Sequence, residues 1–260
     1  MQAGIPLVVF SNLDGIVDQP AEPGWADAAN TLSRLVEERV PIVLCSSRTR
    51  AEVEAIQQRL GLDQPFVCER GAATFVPAGY FEFTIAGARD VAGYQAITLG
   101  GPATDVIGAL RRIALRQQLD VVGFSEMSVE EVAQDCRLSL LDARLAKLRE
   151  YGERFRLIDP GRASRERLFR AIEHGHLRCW EGDRYHDVTT SFDPLRAVDM
   201  LYALFRRSFG AIVSVGAMEA VAPFLSREPL PPPGVTLPEW AQRTSALVRR
   251  LREQRSWVTS

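Results

Sequence analysis

The stretch Leu7-Val8-Val9-Phe10, followed at once by Ser11-Asn12-Leu13-Asp14-Gly15, narrows the choice of fold more than any other part of the chain. A strand with one wet face alternates apolar and polar residues. An unbroken apolar run of strand length is instead buried on both faces. The Asn, Asp and Gly that follow end the run in a tight turn. Open parallel sheets hold their sites in this way, with polar side chains at the carboxyl ends of buried strands. The pattern recurs: Val40 to Cys45 runs into Ser46-Ser47-Arg48-Thr49-Arg50, Pro65 to Cys68 into Glu69-Arg70-Gly71-Ala72-Ala73, and Ala211 to Val215 into Gly216-Ala217-Met218-Glu219. Between the first two lies a helix from about Trp25 to Glu38, with Ala28, Leu32 and Leu35 at helical spacing. The next helix carries Val53, Ile56 and Leu60 and stops at Gly61. Strand and helix alternating at these lengths predict βαβ units, and hence an α/β fold with a doubly wound parallel sheet.

From about Gly87 the texture changes. Tyr94 to Leu99 reads as a strand, Ala103 to Gln117 as an amphipathic helix, and Val121 to Phe124 as a short apolar strand. Ser128-Val129-Glu130-Glu131 fits a capping box, in which Ser and Glu each satisfy a free backbone N–H of the first turn. Further helices are expected over Ser139 to Glu150 and Ser164 to His174, and strands over Phe155 to Ile158, Leu177 to Trp180 and Arg184 to Thr189. Residues 87–184 therefore read as a smaller α/β unit inserted into a core made of 1–86 and 185–260. The core resumes at Asp193-Pro194-Leu195-Arg196, where Pro suits a first helical turn. Val198, Leu201 and Phe205 point inward from that helix. Residues Pro229 to Pro233 read as a stiff linker, and Glu239 to Gln254 as a final, Arg-rich helix with a solvated face.

The net charge of −2 excludes a global attraction to nucleic acid or acidic membranes. The longest apolar run is too short to span a bilayer, and the N-terminus lacks a signal-peptide pattern, so a cytoplasmic protein is expected. Cys45, Cys68, Cys136 and Cys179 are too widely spaced for a zinc motif. Cys45 and Cys68 fall in strand-like runs, as buried thiols do. His174-Gly175-His176 closes a helix, where a cationic imidazole suits the dipole better than a metal pair would.

Asn12-Leu13-Asp14-Gly15-Ile16 resembles the Asp-x-Asp-Gly-Thr signature of the haloacid dehalogenase (HAD) superfamily. Other stretches are similar, in order, to the mannosyl-3-phosphoglycerate phosphatase family: Val43 to Glu52, Glu69-Arg70-Gly71-Ala72-Ala73, Met127 to Ala133, Ala143 to Lys147, Arg149-Glu150-Tyr151, Arg184-Tyr185-His186 and Leu237-Pro238-Glu239-Trp240. The resemblance implies a Rossmann-like HAD core with an inserted C2B-type cap. It also implies phosphoryl transfer to the first signature Asp and then to water, with Mg²⁺ assisting, on a glycosyl phosphoglycerate.

Carried over residue by residue, the resemblance puts Asn12 at the nucleophile position and Asp14 at the acid/base position. Ser46 stands where a hydroxyl binds phosphate; read from the residues alone, it serves equally as a helix N-cap. Pro194 stands at the lysine position, and Ala217 and Val221 at metal-ligand positions. An amide is not a nucleophile for acyl phosphate formation, and the chain's single lysine, Lys147, lies in the inserted unit. Ser47, Arg48, Arg70, Arg149, Tyr151, Arg184, His186 and Arg196 are the substrate-side candidates. The replaced positions favour a phosphoester-binding or regulatory homologue, for which no cofactor is expected. An active phosphatase working by an altered mechanism would bring Mg²⁺ back. A structural subunit with an unused cleft is the third reading. The expected partners are a phosphorylated sugar or glycerate and, in the regulatory or structural case, another protein, but no nucleic acid and no membrane.

Overall fold

A computed structural model describes residues 7–12, 14, 24–158, 161–190, 193–210, 213–217, 225–227 and 236–256. Its elements run β1 (Leu7–Asn12), α1 (Trp25–Glu37), β2 (Ile42–Cys45), α2 (Arg50–Leu60), β3 (Phe66–Cys68), a 3-10 turn (Glu69–Gly71), β4 (Ala73–Pro77), β5 (Arg89–Val91) and β6 (Tyr94–Thr98). There follow α3 (Ala103–Arg116), β7 (Val121–Gly123), α4 (Val129–Cys136), α5 (Leu140–Ala146), β8 (Gly152–Leu157), α6 (Arg162–His174), β9 (Arg178–Trp180) and β10 (His186–Thr189). The chain closes with α7 (Pro194–Phe209), β11 (Val213–Ala217), β12 (Leu225–Arg227) and α8 (Leu237–Ser256).

Eight strands form one sheet in the order β12-β11-β1-β2-β3-β4-β6-β5. From β12 to β3 all neighbours are parallel, and β4, β6 and β5 add an antiparallel edge. Helices cover both faces. Leu7, Val9, Ile42 and Leu44 pack under α1, α2 and α8, while Val8, Phe10, Val43 and Cys45 pack under α7. The unbroken apolar runs of the sequence have this cause: alternate residues of each strand enter different cores, and Val8, Phe10, Ile42, Val43 and Leu44 are fully buried.

A second, antiparallel sheet of order β7-β8-β10-β9 is made wholly from chain between β6 and α7. Phe155, Leu157 and Val188 on one of its faces pack against α3 and α6. Phe124, Met127, Val132, Ala143 and Ala146 make a small core around α4 and α5. Strand pairing carries β5 and β6 into the large sheet and β10 into the small one.

Several helix ends differ from the expected ones. The helix expected over Ser139 to Glu150 stops at Ala146, because the N–H groups of Glu150 and Tyr151 are drawn to the Glu69 carboxylate at 2.8 and 3.0 Å. The last strand begins at His186 rather than Arg184. Ser128 and Glu131 do form the capping box. The tract Pro229 to Pro233 lies outside the described residues. Gly24, at φ +103°, abuts the start of α8: a Cβ there would lie 2.2 Å from the Pro238 ring.

Candidate functional site

The parallel strands β1 and β2 bring residues 12 and 14 against the turn after β2. Asn12 folds its own turn, its Oδ1 accepting the Asp14 N–H at 3.0 Å. The Asp14 carboxylate accepts the Ser46 hydroxyl at 2.6 Å and the Ser47 N–H at 2.9 Å. Ser46 Oγ accepts the Arg48 N–H at 3.1 Å. Ser46 is not the cap of the helix that follows. The cap of α2 is Thr49, which exchanges hydrogen bonds with Glu52 at 3.2 and 2.8 Å, and this leaves the Ser46 hydroxyl to Asp14. Ser11, fully buried just before the turn, is held from behind by the indole N–H of Trp240 on α8 at 2.8 Å.

Beside this corner lies a buried cluster of charge. The Glu69-Arg70-Gly71 turn has positive φ at all three residues (45°, 61° and 82°), a conformation that L side chains adopt at a cost of about 1–3 kcal/mol each. Tertiary contacts hold it there. Arg48 O accepts the Glu69 N–H, and Ser46 O accepts the Arg70 N–H. Glu69, 1% exposed, also lies 3.7 Å from Arg149. Burial pushes its carboxyl above the ordinary value, against the pull of Arg149 and the two N–H groups. Arg70 reaches Asp187 on β10 through Nε and Nη2 and lies 5.7 Å from the Trp180 ring centroid. Arg149 and Arg154 bind the same carboxylate at 3.1 and 2.7 Å. Burial alone would raise the Asp187 pKa, but Arg154 and Arg149 hold it far below the usual carboxylate range. Burial likewise works against the Arg154 charge, and Asp187 more than restores it. Arg149 donates to Ser47 O at 3.2 Å and Arg154 to Ser47 Oγ at 3.4 Å, which ties the cluster to the strand-end corner.

The structure thus brings together Asn12, Asp14, Ser46, Ser47, Arg70 and Arg149. Arg48 stands beside them, turned to Glu52 at 3.3 Å. Tyr151 contributes its backbone N–H, and burial pushes its hydroxyl up to about 12. Three other candidates lie elsewhere. His186 is on the α6 face of the small sheet, its ring centroid 4.9 Å from that of Phe169 and 5.5 Å from that of Phe155. Burial and Arg165 lower its pKa, and its Nδ1 accepts the Gly182 N–H. Strand alternation turns its neighbour Asp187 to the opposite face, where it meets Arg70, Arg149 and Arg154. Arg184 is exposed and paired with Asp135. Arg196 is exposed in the first turn of α7, which begins at Pro194 behind the N-cap Asp193. Lys147 donates to the carbonyls of Phe124 and Met127. Glu69, Arg154 and Asp187 escaped the sequence reading. Arg154 and Arg156 alternating with Phe155 and Leu157 was the one available sign of a charged strand face.

No family model matches the chain. A glucosyl-3-phosphoglycerate/mannosyl-3-phosphoglycerate phosphatase of Methanococcoides burtonii is 30% identical over 208 residues, 80% of this chain and 76% of the relative. Its namesake in Persephonella marina is 30% identical over 229 residues, 86% of this chain and 83% of the relative. The chain belongs to their family. The fold agrees with that membership. A haloacid dehalogenase-like hydrolase from Bacteroides thetaiotaomicron gives a TM-score of 0.56 at 12% identity over 81% of each chain. A HAD subclass IIB sugar phosphatase gives 0.51 at 14% identity, over 81% of this chain and 80% of its own.

Mg²⁺ takes oxygen ligands, chiefly carboxylates and water. Here Asn12 offers an amide oxygen already engaged by Asp14 N–H. Ala217, at the end of β11 beside Ser11, has no oxygen in its side chain. Val221 has none either and lies outside the described residues. Among the described residues no three His, Cys, Asp or Glu side chains are grouped to hold a metal ion. The described residues do not fit the carboxylate-bound Mg²⁺ that the resemblance implies.

Proposed function

We propose that the protein is a catalytically degenerate member of its family that binds a phosphorylated sugar or glycerate without a metal, as a sensor or a regulatory partner. One observation carries the reading. The strand-end corner has an amide where a nucleophilic carboxylate belongs, and the cleft wall beside it gathers the guanidiniums of Arg70, Arg149 and Arg154. A phosphoester dianion facing several carboxylates needs a metal to offset them. Here the single Asp14 carboxylate is already hydrogen-bonded by Ser46 and Ser47, and guanidinium forks suit phosphate and carboxylate oxygens. The relatives are named as phosphatases of glucosyl- and mannosyl-3-phosphoglycerate, so those two compounds head the ligands to try. The small-sheet unit serves as a lid over the cleft. Strand pairing supports bounds near 99 and 190 for it, in place of the 87 and 184 read from the change of texture.

The test is phosphate release from both compounds with added Mg²⁺, run beside calorimetric titration of the same compounds without metal. No turnover with metal-free binding is the expected result. Mg²⁺-dependent turnover at ordinary enzyme rates overturns the reading. Absence of both leaves only a scaffold.

A further inference from the structure

The charge cluster is over-supplied with cations at one carboxylate. Asp187 Oδ1 accepts from Arg149 Nη2 at 3.1 Å and Arg154 Nε at 2.7 Å, and Oδ2 accepts from Arg154 Nη2 at 3.0 Å and from Arg70 Nε and Nη2 at 3.2 and 3.1 Å. Five N–H donors on three guanidiniums converge on one negative charge, and the other carboxylate paired with them is Glu69, through Arg149. Burial is uneven. Asp187 and Arg149 side chains are 6% exposed, whereas those of Arg70 and Arg154 are 31% and 26% exposed. The two outer arginine side chains keep part of their surface exposed, while the carboxylate that holds them is buried. Arg70 is also carried on the positive-φ turn, so its position depends on its partners rather than on backbone preference.

We propose that Asp187 is the resident counter-anion of the cleft: it holds Arg70 and Arg154 when the cleft is empty, and an incoming phosphate-type oxyanion competes with it for them. This rests on the reading of the cleft as a metal-free phosphoester site. The exchange is chemically matched, since a tetrahedral dianion offers the guanidinium forks more charge and more acceptor oxygens than one carboxylate. Asp187 thereby sets how tightly the site holds its ligand. It also keeps three closely placed cations compatible with the folded state when no ligand is bound.

The decisive comparison is inorganic phosphate binding, by metal-free calorimetry, to the wild-type chain and to Asp187→Asn. The amide keeps the shape and removes the competing charge. Asp187→Asn is expected to bind phosphate about tenfold tighter or more, the size of one charge-assisted contact. Equal or weaker binding by the folded variant overturns the proposal while leaving the wild-type site standing. Absence of binding in both chains overturns the site and the proposal together.

A second measurement needs no change at Asp187. Trp180 lies under Arg70, so phosphate drawing Arg70 away should change the Trp180 emission of the wild-type chain, and Trp180→Phe should abolish that component. Phosphate binding seen by calorimetry without any Trp180 response would show that Arg70 stays on Asp187, and the proposal would fail.

Discussion

The corner built by Asn12, Asp14, Ser46 and Ser47 and the cluster built by Glu69, Arg70, Arg149, Arg154 and Asp187 adjoin through Ser47, yet they handle charge in opposite ways. The corner carries one carboxylate and satisfies it with a hydroxyl and an N–H at the end of a parallel sheet. The cluster crowds three cations and two anions between the two sheets and satisfies them with one another. The first is local: each partner lies within a few residues of a strand end. The second is assembled from the turn after β3, the segment after α5, β8 and β10, elements far apart in the chain. Loss of charge at a corner of this kind is visible in a sequence one residue at a time. The gain of charge at the wall is a property of the assembled fold.

Four substitutions would break or sharpen this contrast, in descending order of effect. Arg149→Ala strips Glu69 and Asp187 of a buried partner. It should cost about 3–5 kcal/mol, the usual penalty for leaving a buried charge uncompensated, read as a fall in the urea midpoint. Trp240→Phe keeps an aromatic ring, leaves some core volume unfilled and removes the N–H that serves buried Ser11. The expected loss is about 1–3 kcal/mol, with partial recovery in Trp240→Phe/Ser11→Ala, where the hydroxyl left with only its contact to Asn12 O is also gone. A double variant no more stable than the single one would show that the hydrogen bond is incidental to packing.

The third effect is on pH dependence. Glu69 has its folded pKa raised above 4.5, so the folded state binds a proton first and stability should rise as pH falls from neutral towards 4.5. Asp187 has its folded pKa depressed below 3.8, so its contribution is full above 3.8 and drains away as pH falls further towards the depressed value. Urea midpoints across this range should show a maximum between the two arms, and Glu69→Gln should flatten the upper arm only. Asn12→Asp is expected to do least. Restoring the nucleophile position leaves Pro194, Ala217 and Val221 unchanged, and phosphate release should stay at background. Turnover in that variant would mean the corner needs only its carboxylate to act.

The buried parallel strands, the helices between them and the family likeness could all be read from residues 7–77 and the ordered matches beyond, because burial periodicity and turn chemistry are local. The Ser128 capping box was legible for the same reason. His186 and Asp187 show where that reading stops. A one-residue step along β10 decides which of them faces the arginines, and only pairing with β8, which sets Asp187 opposite Arg154, fixes the step. Ser46 shows it again: a hydroxyl ahead of a helix suits a cap or a ligand, and the choice fell to Thr49 because Asp14 was within reach. The sequence by itself determined the fold class, the family and the amide that stands at position 12, each carried by residues close together in the chain. The tertiary structure alone decided where the remaining charge gathers, because ion pairs across 33 to 117 residues of chain exist only once folding brings the strands and turns that carry them together.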